Sequence, residues 1–187
     1  MAVLKVVCTC EVYVILITFS MQEIPKPDDL LEQLRAIPTF QDIDATALHW
    51  MIDRSKLYRY EVGELMFRTN EPVDYMWILL EGEYVVRLNQ QGRKRELGAF
   101  GKGTVTGILP FSRMKAASAN GPVTERCDVL ALHRDYFVEM VNVSYELSQA
   151  LVGVMTNRVR EFQHIRMMDE KLLALGKMSA GLAHELN

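Results

Sequence analysis

Cysteine is scarce. Three cysteines in 187 residues, Cys8, Cys10 and Cys127, are too few for a disulfide framework and fit a reducing cytosol. Cys8-x-Cys10 is half of a metal-ligand set, but no second Cys or His pair follows at ligand spacing, so no zinc-type site is expected. Charge of one sign is also lacking. The formal net charge is −3, which leaves no global field to attract nucleic acid. The basic triplet Arg93-Lys94-Arg95 sits beside Gly92, where a solvated turn is expected rather than a phosphate-binding patch. Long apolar runs are missing too. The uncharged stretch from Val12 to Met21 is about half of what crosses a bilayer. Residues 1–20 also lack the apolar region and small-residue cleavage site of a signal peptide. A weak membrane association through residues 1–20 and a true start at Met21 both stay open, and a cytoplasmic location is expected. A triphosphate-binding loop is absent as well: there is no G-x-x-x-x-G-K-[ST], and Gly101-Lys102-Gly103 is too short to cradle one.

What is present has ordinary globular proportions, 49% apolar and 24% charged, enough for one domain with a core and an appendage. From residue 29 apolar residues recur at helical spacing, at Leu30, Leu31, Leu34 and again at Leu48, Met51, Ile52. Pro38 separates the two helices, and Asp44 is placed to cap the second. From Leu57 the period changes. LYRY, ELMFR, YMWILL, EYVVRLN, KRELG and ERCDVLAL read as short strands. Val62-Gly63, Asn70-Glu71-Pro72, Glu81-Gly82, Gln91-Gly92 and Gly101-Lys102-Gly103 read as the turns between them. Many short strands with regular turns predict a β-barrel, roll or sandwich.

From about Arg134 the helical period returns and persists. Leu151, Val154, Arg158, Glu161, Ile165, Met168, Leu172, Leu175, Ser179, Leu182 and Leu186 follow at alternating steps of three and four, a heptad seam spoiled at Arg158, Glu161 and Ser179. A helix of roughly 40 residues is about 60 Å long, longer than the barrel it would cover. A parallel homodimeric coiled coil is therefore expected through this helix.

The segment from Leu31 to about Phe137 resembles the cyclic nucleotide-binding domain family. The resemblance runs through Pro38-Thr39-Phe40, Tyr60-Glu61-Val62-Gly63-Glu64-Leu65-Met66-Phe67 and Tyr75-Met76-Trp77-Ile78-Leu79-Leu80-Glu81-Gly82, then a hairpin at Gly92 and a loop opened by Gly103. It implies an α+β fold: a β-roll (jelly-roll) with flanking helices and a long C-terminal coiled-coil-type helix.

In that family a loop of pattern F-G-E-[IL]-[AS]-L cradles the cyclic phosphate on amide groups at a short helix N-terminus. Its Glu holds the ribose and an Arg about ten residues later pairs with the phosphate. Here the loop reads Thr106-Gly107-Ile108-Leu109-Pro110-Phe111-Ser112-Arg113. Gly107 keeps the pattern, Ile108 replaces the Glu, and Ala117-Ser118-Ala119 stands where the Arg falls. Loss of the charge-assisted contact alone costs about 1.5–3 kcal/mol, so ordinary cyclic-nucleotide binding is not expected. Gly107, Ile108, Leu109, Ser112 and Arg113 are the candidate residues for another small ligand. Arg113 either reaches in from the altered loop or is a solvated residue on a helix turn begun by Pro110.

The end of the chain, from Asp169 through Leu175-Gly176-Lys177-Met178-Ser179-Ala180-Gly181-Leu182-Ala183-His184-Glu185-Leu186-Asn187, resembles the opening of the dimerisation and phosphoacceptor helix of sensor histidine kinases. The resemblance makes His184 the phosphoacceptor and Glu185 the group that orients the ring or takes its proton. On the heptad, Leu182 and Leu186 occupy the seam and His184 falls two residues past the first, on an outward face open to a nucleotide-binding partner. A neutral imidazole nitrogen is the nucleophile in such a transfer. The second helix and the ATP-binding domain of that family are absent, so the chain should be inactive by itself. No cofactor is expected here, and ATP with magnesium belongs to a separate catalytic domain. His49, His133 and His164 have no comparable context.

Together these readings divide the chain into an apolar extension (1–20), a cyclic nucleotide-binding-like domain (21–137), a connecting helix (138–168) and the start of a phosphoacceptor helix (169–187). They make it the sensory part of a two-component kinase, with a homodimer partner, a response regulator, a small-molecule ligand and no nucleic acid. The alternatives are a stand-alone domain for protein contacts and a catabolite-activator-type transcription factor without its DNA-binding part.

Overall fold

Alternating apolar side chains sort the interior into two layers. In strands β2 (Lys56–Tyr60), β3 (Tyr75–Gln90) and β6 (Val123–His133), one face carries Leu57, Met76, Ile78, Leu80, Leu130 and Leu132. The opposite face carries Tyr58, Tyr60, Trp77, Leu79, Cys127, Val129 and Ala131, as the two-residue period of a strand requires. The computed structural model describes residues 21–90 and 93–185. The remaining strands are β1 (Gln22–Ile24), β4 (Arg93–Gly101) and β5 (Val105–Gly107). All pairings are antiparallel in the order β1-β2-β6-β3-β4, with β5 also beside β3.

The first face lies under helices α1 (Leu30–Arg35), α2 (Ala45–Arg54), α3 (Phe137–Val143) and the first turns of α4 (Tyr145–Glu185). These helices contribute Leu34, Leu48, Met51, Met140, Leu147 and Leu151, all at 0% exposure. Asp44 caps α2 as expected, accepting from the Thr46 amide at 2.8 Å. Glu139 ties α3 to α2 by accepting from Trp50 Nε1 at 2.8 Å and pairing with Arg54 at 2.6 Å. The second face is the inside of the β-roll.

Three readings of the sequence change. Glu81-Gly82 is a bulge inside one continuous strand, with register shifts between Leu79 and Tyr84. After it the inward side chains are Tyr84 and Val86, one residue out of phase with Trp77 and Leu79. ELMFR is an irregular segment with an isolated bridge between Leu65 and Pro122. Its Met66 is buried without a strand period. The helix expected from residue 138 is interrupted at Ser144, which is extended at φ −147 and ψ 118. Ser144 Oγ accepts from the Leu147 amide at 3.1 Å, so α4 begins with its own cap. The turn signal Gln91-Gly92 lies outside the described residues, although Gln90 and Arg93 pair on either side of it. Residues 1–20, with Cys8 and Cys10, and residues Leu186 and Asn187 also lie outside them.

The interior of the roll holds acids that must stay protonated. Burial pushes the Cys127 thiol and the Tyr84 hydroxyl up to about 12, and burial raises Tyr60 further. In the unfolded chain these groups ionise near their ordinary values of 9.0 and 10.0. A folded pKa above the unfolded one gives stability that is complete below about pH 9 and lost as pH rises toward 12. The urea midpoint is therefore expected to be flat from pH 7 to 8.5 and to fall steadily above pH 9.5. A midpoint unchanged through pH 11 would contradict the burial of these groups.

Candidate functional site

A cavity of about 580 Å³ opens between the inside of the roll and α4. Its volume lies in the range of small-molecule sites. β3 supplies Trp77, Tyr84 and Val86, and β4 supplies Leu97, Ala99 and Phe100. The loop after β5 contributes Met114 and Ala117-Ser118-Ala119, while Val154, Asn157, Arg158 and Glu161 close it from α4. Four aromatic rings are interlocked in the wall. Phe67 stacks with Trp77 at 6.0 Å, Tyr84 stacks with Phe100 at 5.4 Å, and Phe67 meets Tyr84 edge-on at 5.9 Å. The buried Trp77 indole N–H has no acceptor among the described residues.

Among the described residues, Arg158 is the one cation in the lining and Glu161 the one carboxylate. The guanidinium donates from Nη1 to the Gly107 carbonyl and from Nη2 to the Val105 carbonyl, both at 3.0 Å. Desolvation lowers its pKa, against the neighbouring Tyr84 and Glu161. Arg158 follows Leu147, Leu151 and Val154 on one helix face, at steps of four, three and four. Its place in the sequence pattern, read as a flaw in a coiled-coil seam, is an arginine turned into the domain's own cavity. Side-chain periodicity reports that a helix face is covered but not what covers it.

The loop of residues 106–113, which the resemblance aligns with a phosphate cradle, takes a different shape. Gly107 ends β5 at φ +76 and lines the cavity. A Cβ there would lie 2.3 Å from the Tyr75 carbonyl and 2.7 Å from the Trp77 ring, so close packing of β5 on β3 accounts for the glycine. Beyond it there is a turn, with the Ser112 amide donating to Leu109 O at 3.0 Å, and no helix starts. The Ile108 amide is used by Tyr75 O at 3.1 Å. Ile108 and Leu109 are buried in the two apolar layers. Ser112 Oγ accepts from the Met114 amide at 3.2 Å. Arg113 is exposed, and of the five candidate ligand residues only Gly107 borders the cavity. Phe111, 68% exposed at φ +65, forms the tip of the turn.

His184 and Glu185 stand at the C-terminal end of α4. Among the described residues no group of three or more His, Cys, Asp or Glu is placed to hold a metal. No helix among them is long and apolar enough to cross a membrane.

The sequence pattern of the cyclic nucleotide-binding domain family matches residues 57–144. No curated protein sequence matches the chain. Among solved structures, the chain is similar to a cyclic nucleotide-binding domain from Methylobacillus flagellatus, with TM-score 0.62 and 19% identity over 75% of this chain and 82% of that one. It is similar to the Thermus thermophilus catabolite activator protein, with TM-score 0.62 and 18% identity over 73% of this chain and 63% of that one. The N-terminal domain of a Streptomyces coelicolor transcriptional regulator gives TM-score 0.57 and 22% identity over 70% and 94%. At these identities the likeness is one of fold. Residues 57–144 therefore match the cyclic nucleotide-binding domain family, and the described chain has the fold of its neighbours, an antiparallel β-roll with flanking helices.

Proposed function

We propose that the chain is the sensory part of a two-component sensor histidine kinase, in which the state of the roll cavity governs the presentation of His184. The observation that carries this reading is the continuity of α4. One helix, Tyr145–Glu185, both closes the cavity through Arg158 and bears the Ala183-His184-Glu185 motif. From Arg158 to His184 the helix advances about 39 Å, so a rotation or shift imposed at the cavity reaches the acceptor without an intervening joint.

In the transfer, a neutral ring nitrogen of His184 attacks the γ-phosphorus of ATP held by a separate catalytic domain. An N–P bond forms, the bond to ADP breaks, and Glu185 orients the ring or takes its proton. Homodimerisation through α4 and passage of the phosphoryl group to a response regulator belong to the same reading.

The test is labelling in extract of the host cell supplied with γ-labelled ATP. The wild-type protein is expected to acquire acid-labile, alkali-stable label, and H184Q to acquire none. Equal labelling of the two, or none in either, overturns the reading. The fold likeness to the catabolite activator protein favours a second reading, the sensory half of a transcription regulator, under which His184 stays unlabelled.

A further inference from the structure

We infer that the cavity takes a flat, apolar monocarboxylate, held at its charged end by Arg158 and along its body by the aromatic wall. This rests on the reading above only in taking the cavity for the sensory pocket; it does not involve His184.

The cavity lacks the equipment that holds a cyclic nucleotide. No helix N-terminus follows Gly107, and the Ile108 amide is already bonded to Tyr75 O. The small residues Ala117, Ser118 and Ala119 line the wall where the resemblance places the phosphate-binding Arg. The anion-binding equipment of that end is gone, and space replaces it.

A different cation enters from the opposite side. Arg158 carries five N–H donors, and the two bonds to Val105 and Gly107 use two of them. Among the described residues no carboxylate forms an ion pair with it, and Glu161 is the other charge in the lining. A part-buried guanidinium held by neutral carbonyls keeps its full charge while losing water, and a carboxylate is the partner whose two oxygens match its fork. The two carbonyl bonds fix the guanidinium before any ligand arrives, which lowers the ordering cost of binding.

The number of charges sets the ligand's charge. Arg158 supplies one positive charge for one carboxylate, whereas the second charge of a dianion would meet only the like charge of Glu161 among the described lining residues. The stacked pairs Phe67–Trp77 and Tyr84–Phe100 set its shape, since flat rings offer planar faces and edges to a planar body. Because Arg158 lies on α4 and its acceptors lie on β5, a carboxylate drawn between them bears on the contact that joins helix to roll.

The probes are 2-naphthoate and anthracene-2-carboxylate, each paired with its uncharged primary amide, together with cyclic AMP and cyclic GMP. Calorimetry on the full chain is expected to show binding of at least one acid. Its amide should bind about tenfold to a hundredfold more weakly, the loss expected for a charge-assisted contact, and the cyclic nucleotides more weakly than the acid. In R158Q the acid should fall to the affinity of its amide, with R158K intermediate. Thermal melts of the variants establish that they fold, and the acid–amide comparison on wild-type protein stands even if they do not. Equal binding of acid and amide, an unchanged R158Q, preference for a cyclic nucleotide, or no binding of either acid overturns the inference. None of these results touches the labelling test of His184.

Discussion

Replacing Gly82 with alanine is expected to lower the stability of the domain by about 3–5 kcal/mol. Gly82 sits at φ +85 inside β3, and an added Cβ would fall 2.0 Å from the Arg126 carbonyl oxygen and 2.8 Å from the Cys127 Cα. Both neighbours are backbone of β6, so relief requires the two strands to separate. Left-handed strain on a residue with a Cβ adds about 1–3 kcal/mol by itself. The bulge is also what turns Tyr84 and Val86 into the roll. Ironing it out by one residue would send Tyr84, at 1% exposure, to the other face. Against a total of about 5–15 kcal/mol for a native domain, the loss removes much of the margin. Gly153 supplies the contrast. It lies in α4 with nothing within 4 Å of an added Cβ, and alanine there should stabilise by about 0.5–1 kcal/mol. Urea denaturation of the two variants beside wild type reads both signs. A Gly82 variant within about 1 kcal/mol of wild type would show that the strand tolerates realignment.

The same glycine shows how far the sequence could be read. Strands β2 and β6 and helix α2 were legible because each obeys one local rule: alternation in the strands, a cap and a period in the helix. Gly82 was read as a turn because glycine after Glu81 signals a change of direction, and a bulge and a turn use the same positive φ. The segment at Met66 was misread for the opposite reason. Its Met66 is buried, and Leu65 and Phe67 half-buried, by tertiary contact with the loop around Gly121, which donates to Phe67 O at 3.0 Å. No strand alternation produces that burial.

At the candidate site, the missing phosphate partners at Ile108 and Ala117-Ser118-Ala119 were legible as departures from a pattern. Arg158 was not. It sits at the spacing of a helix seam, and only the fold distinguishes a face turned to the roll from one turned to a second copy. The local sequence around it names no acceptor either, since its two partners are carbonyls 51 and 53 residues away. The useful signal was the break in apolar character itself. A charged residue in line with Leu147 and Leu151, both fully buried, requires polar partners wherever that face is covered.

Inserting two residues between Gln163 and His164 is expected to leave the cavity intact and to disconnect it from His184. The insertion follows Glu161, the last α4 residue at the cavity, so the packing of Leu147, Leu151, Val154 and Arg158 on the roll is unaltered. Downstream, two residues turn the helix by about 200° and advance it about 3 Å. His184 would then face nearly the opposite side relative to the domain, and the positions Ile165, Met168, Leu172 and Leu175 would leave their register with Leu151 and Val154. Seven inserted residues turn it by about 700°, roughly 20° short of two full turns, which restores the face while lengthening the arm by about 10 Å. If the cavity acts through helix phase, the two-residue insertion should cut labelling of His184 to below about a tenth of wild type or make it indifferent to any ligand that regulates wild type. The seven-residue insertion should keep most of the labelling and its regulation. Ligand affinity should be the same in all three proteins, which separates loss of coupling from loss of fold. Wild-type labelling and regulation in the two-residue variant would exclude α4 as the transmitting element. Loss in both variants alike would show that distance between cavity and acceptor, rather than phase, is what the helix preserves.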